Sequence, residues 1–254
     1  MIQLTEPFSL NLSAGKVIVI IGAAGSGKTH LIRSIQKKVN FATIADERVL
    51  PRRGRVKDVP NPFRKQASAS RIDEAISIVK LKDKINSHLA DLSPSEASAA
   101  CLLPVFCTES QVVIVDMLLD WVDLSLANAV IENLKQKATL GGTVIIATHS
   151  TEVLKHADEV IALRNQSISF QGTLTEGLST VGPSKVTVMS QKFEAIRQIV
   201  DPITVNVEQT ETGATFELQD PSSIALTLLS QGYGDIKAVT VSQPTVAQFI
   251  QKWI

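Results

Sequence analysis

Cysteine is scarce in this chain, which contains only Cys101 and Cys107 among its 254 residues. Two thiols do not make a disulfide framework, and neither cysteine has the spacing that zinc ligands show. This usage argues against a small disulfide-stabilised domain and is compatible with a reducing cytosol.

An excess of one charge and long apolar runs are also missing. Lysine and arginine together number 25, as do aspartate and glutamate, so no overall preference for nucleic acid or anionic membranes is indicated. The longest apolar runs, such as residues 17–21 and 112–115, are far shorter than the roughly 20 residues that span a bilayer. Residues 1–10 contain Glu6 and lack the basic and apolar regions of a signal peptide, so we expect none.

Three short β-branched runs alternate with amphipathic segments. The runs at residues 17–21, 112–115 and 143–147 are predicted to be buried strands. Residues 29–38 and 126–137 carry apolar side chains on one face and are predicted to be helices. Strands that alternate with helices predict an α/β fold with a mostly parallel sheet.

The pattern changes near Gly182 and Pro183. Beyond this break it predicts a strand, a helix, a hairpin, a second helix, a last strand and a short helix. These elements fall at residues 185–189, 193–200, 203–207 with 215–218, 222–230, 236–241 and up to Trp253. The order β-α-β-β-α-β is typical of a small ferredoxin-like domain. We therefore predict two domains, residues 1–182 and residues 183–254.

Residues 22–29 fit the pattern G-x-x-x-x-G-K-[ST] between a predicted strand and a predicted helix. Glycines let the main chain wrap closely around phosphates, and the N–H groups of a helix N-terminus point at the anion. Lys28 would reach the β- and γ-phosphates of ATP, and the Thr29 hydroxyl would coordinate Mg²⁺. A glycine-rich turn is the alternative, but the complete pattern favours a phosphate loop. The predicted nucleotide-binding residues are Gly22, Ala23, Ala24, Gly25, Ser26, Gly27, Lys28, Thr29 and His30.

Asp116 directly follows the predicted strand 112–115. Its side chain should emerge at the carboxyl edge of the parallel sheet, where ligands bind. We therefore predict that Asp116 is the second magnesium ligand and part of the nucleotide site, while an ordinary acid in a turn after a strand is the alternative.

Further segments carry a resemblance to a known family. The sequence Leu-Ser-Pro-Ser-Glu at residues 92–96 begins 24 residues before Asp116, and Asp123 follows Asp116 by seven residues. The sequence Ala-Thr-His-Ser at residues 147–150 follows a predicted strand. In this spacing the chain resembles the ABC-type ATPases, in which a signature motif, a D-loop aspartate and a switch histidine occupy these positions.

The resemblance extends from Phe8 to about Leu178, and the segment from Lys185 onward resembles an accessory domain of some drug-exporter ATPase subunits. It implies a phosphate-loop core with a helical subdomain inserted before the signature. ATP would lie between two chains, in contact with the phosphate loop of one and with Ser93 of the other. It also implies a transmembrane permease subunit, a homodimer or heterodimer of ATP-binding chains, and a cytoplasmic location on the inner face of the cell membrane.

The family places a glutamate that polarises the attacking water directly after the aspartate. Met117 stands in its place, and a thioether can neither accept a proton nor orient water. General-base catalysis contributes about 10²–10⁴-fold, so we expect any ATPase activity to be impaired. Asp120 is the nearest acid downstream that could compensate, although nothing in the spacing requires this.

The signature is altered as well. Ser93 is retained, but Pro94 and Ser95 replace two glycines and Glu96 replaces glutamine. These side chains would crowd a partner's γ-phosphate, and Glu96 would add a like charge. The same residues fit a capping box with proline at the first helical position, so a plain helix start is equally consistent with them. Pro104 should kink or shorten the helix that follows.

Two further positions match the family pattern weakly, and His149 is the strongest remaining catalytic candidate. Asn61 is the candidate for the metal-ligating glutamine of the family, although residues 60–62 fit a plain turn at least as well. His149 is either the γ-phosphate contact of the family or a structural histidine, and its spacing behind Thr148 favours the contact. No aromatic residue before Phe8 could stack on adenine as the family's tyrosine does.

A basic run lies where the family contacts its membrane subunit, although such runs are usually solvated loops. Its members are Arg52, Arg53, Arg55, Lys57, Arg64 and Lys65.

These features predict an ATP-binding subunit of an ABC transporter-like complex, which binds Mg-ATP at a dimer interface and hydrolyses it slowly. The alternative is a regulatory or assembly module that uses ATP-dependent dimerisation without transport. An ATPase of chromosome maintenance is disfavoured, because residues 70–89 are too short for the long coiled coil of that class. The predicted catalytic positions are His149 and Met117, and the predicted metal ligands are Thr29, Asp116 and Asn61.

Overall fold

The computed structural model describes residues 2–4, 10–39, 41–51, 53–63, 65, 67–182, 184–190, 204–210, 213–218 and 236–254. The chain forms two compact units, Met1–Leu174 with Trp253–Ile254 and Thr175–Lys252. The domain assignment with a boundary between residues 182 and 183 stays a prediction.

The first unit contains eight strands in two sheets among the described residues. The strands are β1 (Ile2–Leu4), β2 (Leu10–Leu12), β3 (Val17–Gly22), β4 (Ala42–Ala45), β5 (Val112–Asp116), β6 (Thr143–Thr148), β7 (Glu159–Arg164) and β8 (Ser167–Gly172). β1 and β2 pair as an antiparallel hairpin. The other six form one sheet in the order β4-β5-β6-β3-β7-β8, in which only β8 runs antiparallel to its neighbour.

Helices and 3₁₀ turns connect these strands. The helices are α1 (Lys28–Lys38), α2 (Ala69–Ile78), α3 (Pro94–Cys101), α4 (Leu103–Cys107), α5 (Leu124–Thr139) and α6 (Thr151–Leu154). The 3₁₀ turns are Glu47–Val49, Val56–Asp58, Asn61–Phe63, Lys82–Lys84, Leu89–Asp91 and Leu118–Trp121.

The core lies on both sides of the three central strands. β3, β5 and β6 are buried along their whole length, as expected for central parallel strands with continuous apolar runs. Helix α1 adds Leu31, Ile32 and Ile35 from one face to this core. Each such side chain contributes about 1.5–3 kcal/mol through its burial.

The parallel α/β sheet predicted from the sequence is confirmed. All three predicted strands and both predicted helices of the first unit are present, with ends that differ by one or two residues. The edge strand β4 was not predicted, because Ala42–Ala45 is short, half-buried over most of its length and carries only two β-branched residues.

The helix after Ser93 is broken, which confirms the expectation for Pro104. Helix α3 ends at Cys101, and α4 begins at Leu103 with Pro104 in its first turn. Proline has no N–H to donate to the carbonyl of Ala100 four residues earlier, and its ring would clash with that carbonyl in a continuous helix.

The second unit contains a four-stranded antiparallel sheet. Its strands are β9 (Ser184–Ser190), β10 (Thr204–Thr210), β11 (Gly213–Leu218) and β12 (Ile236–Ser242), in the order β10-β11-β9-β12. Two further helices are α7 (Leu174–Ser179) and α8 (Val246–Trp253). The predicted helices at residues 193–200 and 222–230 lie outside the described residues, so the ferredoxin-like arrangement stays a prediction.

Candidate nucleotide-binding site

The phosphate loop connects the central strand β3 to helix α1. β3 ends at Gly22 and α1 begins at Lys28, so the N–H groups of the first helical turn face the loop. Gly27 caps the helix with φ of +102°, a left-handed conformation that side chains disfavour. A β-carbon at Gly22 would lie 2.4 Å from Ser26 Oγ and 2.7 Å from the main-chain oxygen of Leu163. The local geometry therefore requires both glycines.

Much of the loop surface is open to a ligand. The exposed members of the loop and the first helical turn are Ala23, Ala24, Gly25, Thr29 and His30. Ser26 is buried instead, and its hydroxyl has no hydrogen-bond partner within the described part of the chain.

Lys28 folds back onto its own loop. Its side chain is only 7% exposed, and Nζ donates to the main-chain oxygens of Gly22 at 2.7 Å and Ala23 at 3.0 Å. Burial lowers the pKa of Lys28, while the charges of Asp120 and Asp116 oppose this decrease. Phosphate oxygens would be stronger acceptors than these neutral carbonyls, because donor and acceptor would then both be charged.

Asp116 ends strand β5, is 8% exposed, and has one carboxylate oxygen, Oδ1, without a hydrogen-bond partner among the described residues. Burial raises the pKa of Asp116 and the charge of Asp46 raises it further, while Arg48 and Lys28 oppose the rise. Thr29 and Asp116 line one cavity of about 590 Å³. Carboxylate and hydroxyl oxygens are ligands that Mg²⁺ prefers, so this pair fits a magnesium ion.

Asp46 is a further acid at this edge of the sheet. It follows β4 directly, and β4 is the parallel neighbour of β5. Asp46 is 8% exposed and lines the same cavity as Asp116. Oδ1 of Asp46 accepts from the main-chain N of Arg48 at 2.8 Å, and Oδ2 accepts from Arg48 Nε at 2.9 Å. Asp46 was not predicted from the sequence, and the signal that could have identified it is an acid directly after a short strand.

Asn61 lies in the segment between β4 and α2. It is exposed, begins the 3₁₀ turn Asn61–Phe63 and is not among the described residues that line the cavity beside Thr29 and Asp116. Its assignment as a metal ligand stays a prediction, whereas Asp46 lines the same cavity as Asp116.

Met117 lies at the turn from β5 into the 3₁₀ turn Leu118–Trp121. Its φ of +63° is left-handed, and its N–H donates to the main-chain oxygen of Ala147 at 2.9 Å. The half-buried side chain packs against the core and lines the cavity beside Asp116. An apolar thioether therefore stands beside the candidate magnesium ligand, where a carboxylate would be needed to orient water.

His149 reaches the phosphate loop from the end of β6. Its ring Nδ1 lies 3.0 Å from the main-chain oxygen of Gly22, the same oxygen that accepts from Lys28. Asp120 holds the segment around the histidine, because its Oδ2 accepts from the main-chain N of His149 at 2.9 Å and its Oδ1 accepts from Thr148 Oγ1. The structure thus brings His149 to the loop, as its predicted role requires.

Ser93 forms the capping box that the sequence allows. Its Oγ accepts from the main-chain N of Glu96 at 3.3 Å, and Glu96 Oε2 accepts from the main-chain N of Ser93 at 2.8 Å. Glu96 Oε1 also pairs with Lys84 Nζ at 3.0 Å. The hydrogen bond from the Ser93 main chain, followed by that from Lys84, lowers the pKa of Glu96. The contact of Ser93 with a second chain stays a prediction.

The basic run is described only in part, because Arg52 and Arg64 lie outside the described residues. Arg53 and Lys65 are exposed. Lys57 Nζ donates to Asn86 Oδ1 at 3.2 Å. Contact of this run with a membrane partner stays a prediction.

The phosphate loop, Asp116 and His149 thus follow three adjacent parallel strands of one sheet. Solved structures share this fold. An ATP-binding subunit of an ABC transporter matches with a TM-score of 0.59 at 15% identity, over 68% of this chain and 85% of that one. A bacterial Atm1-family ABC exporter with ATP bound matches with a TM-score of 0.61 at 15% identity, over 68% of this chain and 36% of that one.

Curated relatives are also ATP-binding proteins of import systems. The methionine import ATP-binding protein MetN of Sodalis glossinidius is 22% identical over 67% of this chain and 60% of its own length. MetN of Haemophilus influenzae is 26% identical over 66% of this chain and 59% of its own length. MetN of Corynebacterium jeikeium is 24% identical over 85% of this chain and 67% of its own length. The chain thus spans about 60% of the length of the first two relatives.

One family model matches a smaller part of the chain. It describes the viral superfamily 1 RNA helicase core domain and covers residues 18–80, which include the phosphate loop. The fold and the sequence are thus similar to those of ABC-type ATP-binding proteins, the family that the chain resembles.

Helices that could cross a bilayer are absent from the part of the chain that the structure describes.

Proposed function

We propose that this chain is the ATP-binding subunit of an ABC transporter-like complex and binds Mg-ATP at its phosphate loop. The observation that carries the proposal is the convergence of Lys28 and His149 on the carbonyl of Gly22, beside the buried and unpaired oxygen of Asp116. A lysine, a histidine ring and a carboxylate oxygen that has no partner among the described residues lie at one edge of the sheet and suit a metal-bound polyphosphate.

Each group has a defined role in this proposal. The main-chain N–H groups at the start of α1 bind phosphate oxygens, and Lys28 exchanges two carbonyl acceptors for phosphate. Thr29 and Asp116 would hold Mg²⁺. Asp46 would join them once its hydrogen bonds with the Arg48 side chain are broken. The metal ion would neutralise charge on the phosphates. Binding of the cation would also remove the cost of the unpaired oxygen of Asp116.

The site supports binding better than rapid hydrolysis. Met117 offers no proton acceptor next to Asp116. Asp120 is the nearest acid that follows it, but its two oxygens already accept hydrogen bonds from the Thr148–His149 segment. We therefore propose slow turnover, with His149 as a contact to the γ-phosphate.

The proposed partners are a second ATP-binding chain and a transmembrane permease, which would hold the complex on the cytoplasmic face of a membrane. The relatives are named as import ATP-binding proteins, and one solved match is a dimeric bacterial ABC transporter cassette, at 15% identity and a TM-score of 0.59. Trp121 is 65% exposed and Leu124 is 58% exposed, on either side of Asp123. Exposed apolar side chains next to the D-loop position support a pairing surface there.

The test of ATP binding is calorimetry with Mg-ATP on the wild type and on Lys28→Ala. Removal of a charged hydrogen-bond donor should weaken binding by about tenfold to a hundredfold. Lys37→Ala is the matched control, because Lys37 is an exposed lysine on the same helix. Equal affinity of the wild type and Lys28→Ala would overturn the proposal.

A separate experiment decides between transport and the alternative of a regulatory module. The tagged chain is purified from its own cells in mild detergent, and the co-purifying proteins are identified. A polytopic membrane protein in stoichiometric amount is the expected result. An ATP-dependent dimer without any membrane protein would favour the regulatory module, which the lack of a catalytic carboxylate at Met117 also fits.

A further inference from the structure

Asp120 ties together two segments that are distant in sequence. It lies on the 3₁₀ turn Leu118–Trp121, three residues after Met117, and it accepts hydrogen bonds from residues at the end of β6. Thr148 is fully buried, and its hydroxyl also accepts from the main-chain N of Ser150 at 2.9 Å. A carboxylate with two donors on one segment fixes the position of that segment more firmly than a single bond would.

The fixed segment determines what the ring of His149 can do. The main-chain oxygen of Gly22 can only accept a hydrogen bond, so the Nδ1 atom that lies 3.0 Å away must carry the proton. Nε2 is then the ring nitrogen through which His149 could contact a ligand, as an acceptor in the neutral ring or, after it takes up a proton, as a donor to phosphate. Asp120 and His149 also line one cavity of about 380 Å³, so the pair borders open space.

We propose that Asp120 is a positioning residue that holds His149 against the phosphate loop, and that it does not act as the base that replaces the missing carboxylate at Met117. A base that activates water needs an oxygen that is not already held by protein donors. Both oxygens of Asp120 accept such donors. The effect of Asp120 on ATP binding rests on the proposed function. Its effect on the ring of His149 concerns the nucleotide-free protein.

The first arm of the test uses the nucleotide-free full-length protein labelled with ¹⁵N in its histidines. The chain has four histidines, so the signal of His149 can be assigned as the one that is missing from the spectrum of His149→Ala. The wild type should show His149 with its proton on Nδ1. Asp120→Asn should lose this fixed tautomer, because the amide replaces one acceptor oxygen with an NH2 donor, which would face one of the two donors.

Two variants complete this arm. Thr148→Val removes one of the two donors at nearly constant volume and should give an intermediate effect, which keeps the test open if Asp120→Asn does not fold. Glu152→Gln is the matched control, since Glu152 lines the same cavity but pairs with Lys155. An unchanged His149 tautomer in both Asp120→Asn and Thr148→Val would overturn the proposal.

The second arm measures the affinities for Mg-ATP and Mg-ADP by calorimetry. Asp120→Asn should reduce the preference for ATP over ADP by about tenfold, as should His149→Ala, since a hydrogen bond from a protonated Nε2 to the γ-phosphate would be lost. A purely structural role would weaken both nucleotides together. If His149→Ala changes the preference and Asp120→Asn does not, the positioning role is wrong while the proposed function stands. If the wild type binds neither nucleotide, the proposed function is wrong, and the tautomer alone decides the role of Asp120.

Discussion

Met117 combines two unusual properties at the residue scale. Its backbone is left-handed, which costs a non-glycine residue about 1–2 kcal/mol. Its side chain is apolar and follows Asp116, the candidate magnesium ligand. The hydrogen bond from its N–H to Ala147 and its packing against the core offset this cost. The turn is thus held by packing and by β6, and it provides no group for acid–base chemistry.

Replacement of Met117 by glutamate should raise the rate of ATP hydrolysis, because it supplies the missing acceptor for a water proton. General-base groups contribute about 10²–10⁴-fold, and a graft in an unadapted site should reach the lower part of this range. A phosphate-release assay on the purified chain measures the change, with Met117→Gln as the control of similar shape that cannot act as a base. A wild type that already turns over at ~1–10³ s⁻¹ would contradict the premise, because another group would then orient the water.

Asp116→Asn should stabilise the nucleotide-free protein. Burial raises the pKa of Asp116 in the folded chain, so the ionised carboxyl disfavours folding at every pH above its ordinary range. The melting temperature of the variant should exceed that of the wild type near neutral pH. The difference should disappear in acid, where the carboxyl is protonated in both folded and unfolded states.

The same variant should weaken Mg-ATP binding, because the candidate magnesium ligand is lost. Thermal melts across pH, with and without Mg-ATP, measure both effects. A variant that is less stable than the wild type at neutral pH would show that Asp116 has a stabilising partner instead of an unpaired oxygen.

At the scale of one element, the polar side chains at the start of helix α3 bind one another. Ser93 and Glu96 cap each other, and Lys84 neutralises part of the glutamate charge. Pro94 removes one more N–H from the helix start. A γ-phosphate from a second chain would therefore meet Pro94 and Ser95 where the family has glycines, and the Glu96 carboxylate where the family has glutamine.

ATP, but not ADP, should raise the apparent mass of the chain in sedimentation, alone or with its partner chain, and Glu96→Gln should strengthen this shift. Glutamine keeps the capping box and removes a charge that would repel the phosphate. Glu132→Gln on α5 is the control, because Glu132, like Glu96, forms a salt bridge with a lysine. Ser93→Arg should abolish the shift while monomer affinity for ATP stays the same.

No change of mass with ATP, with or without the membrane complex, would count against pairing through ATP. A stronger shift in Glu132→Gln than in Glu96→Gln would mean that general charge reduction, and not the start of α3, controls association.

At the scale of the whole molecule, the phosphate-contacting candidates all belong to the first unit. Every candidate contact precedes Gly182, and the four-stranded sheet with its own core begins at Ser184. Trp253 nevertheless belongs to the first unit, where its ring lies 5.4 Å from that of Phe170 and its main-chain oxygen accepts from Ser169.

Deletion of residues 183–254 should therefore leave Mg-ATP affinity unchanged but lower the stability of the remaining unit. The loss of one large aromatic contact costs on the order of 1–3 kcal/mol. Trp253→Ala in the full chain is the matched control and should show a similar loss in denaturant unfolding. A truncated chain that no longer folds would show that the two parts share one hydrophobic core.

Local patterns in the sequence determined the phosphate loop, the central strands with their neighbouring helices and the break at Pro104. They could do so because glycine spacing, β-branched runs and proline act on the adjacent main chain. The sequence also placed Met117 and Asp116, since each directly follows a strand that is recognisable by itself.

Only the tertiary structure decided which side chains meet across the sheet. Asp46 became a neighbour of Asp116 because β4 pairs with β5, although 70 residues separate the two acids in the chain. Asp120 became an anchor for His149 because the turn after β5 lies beside the end of β6. Strand order is set by burial and pairing over the whole sheet, and such distant contacts leave no local pattern in the sequence.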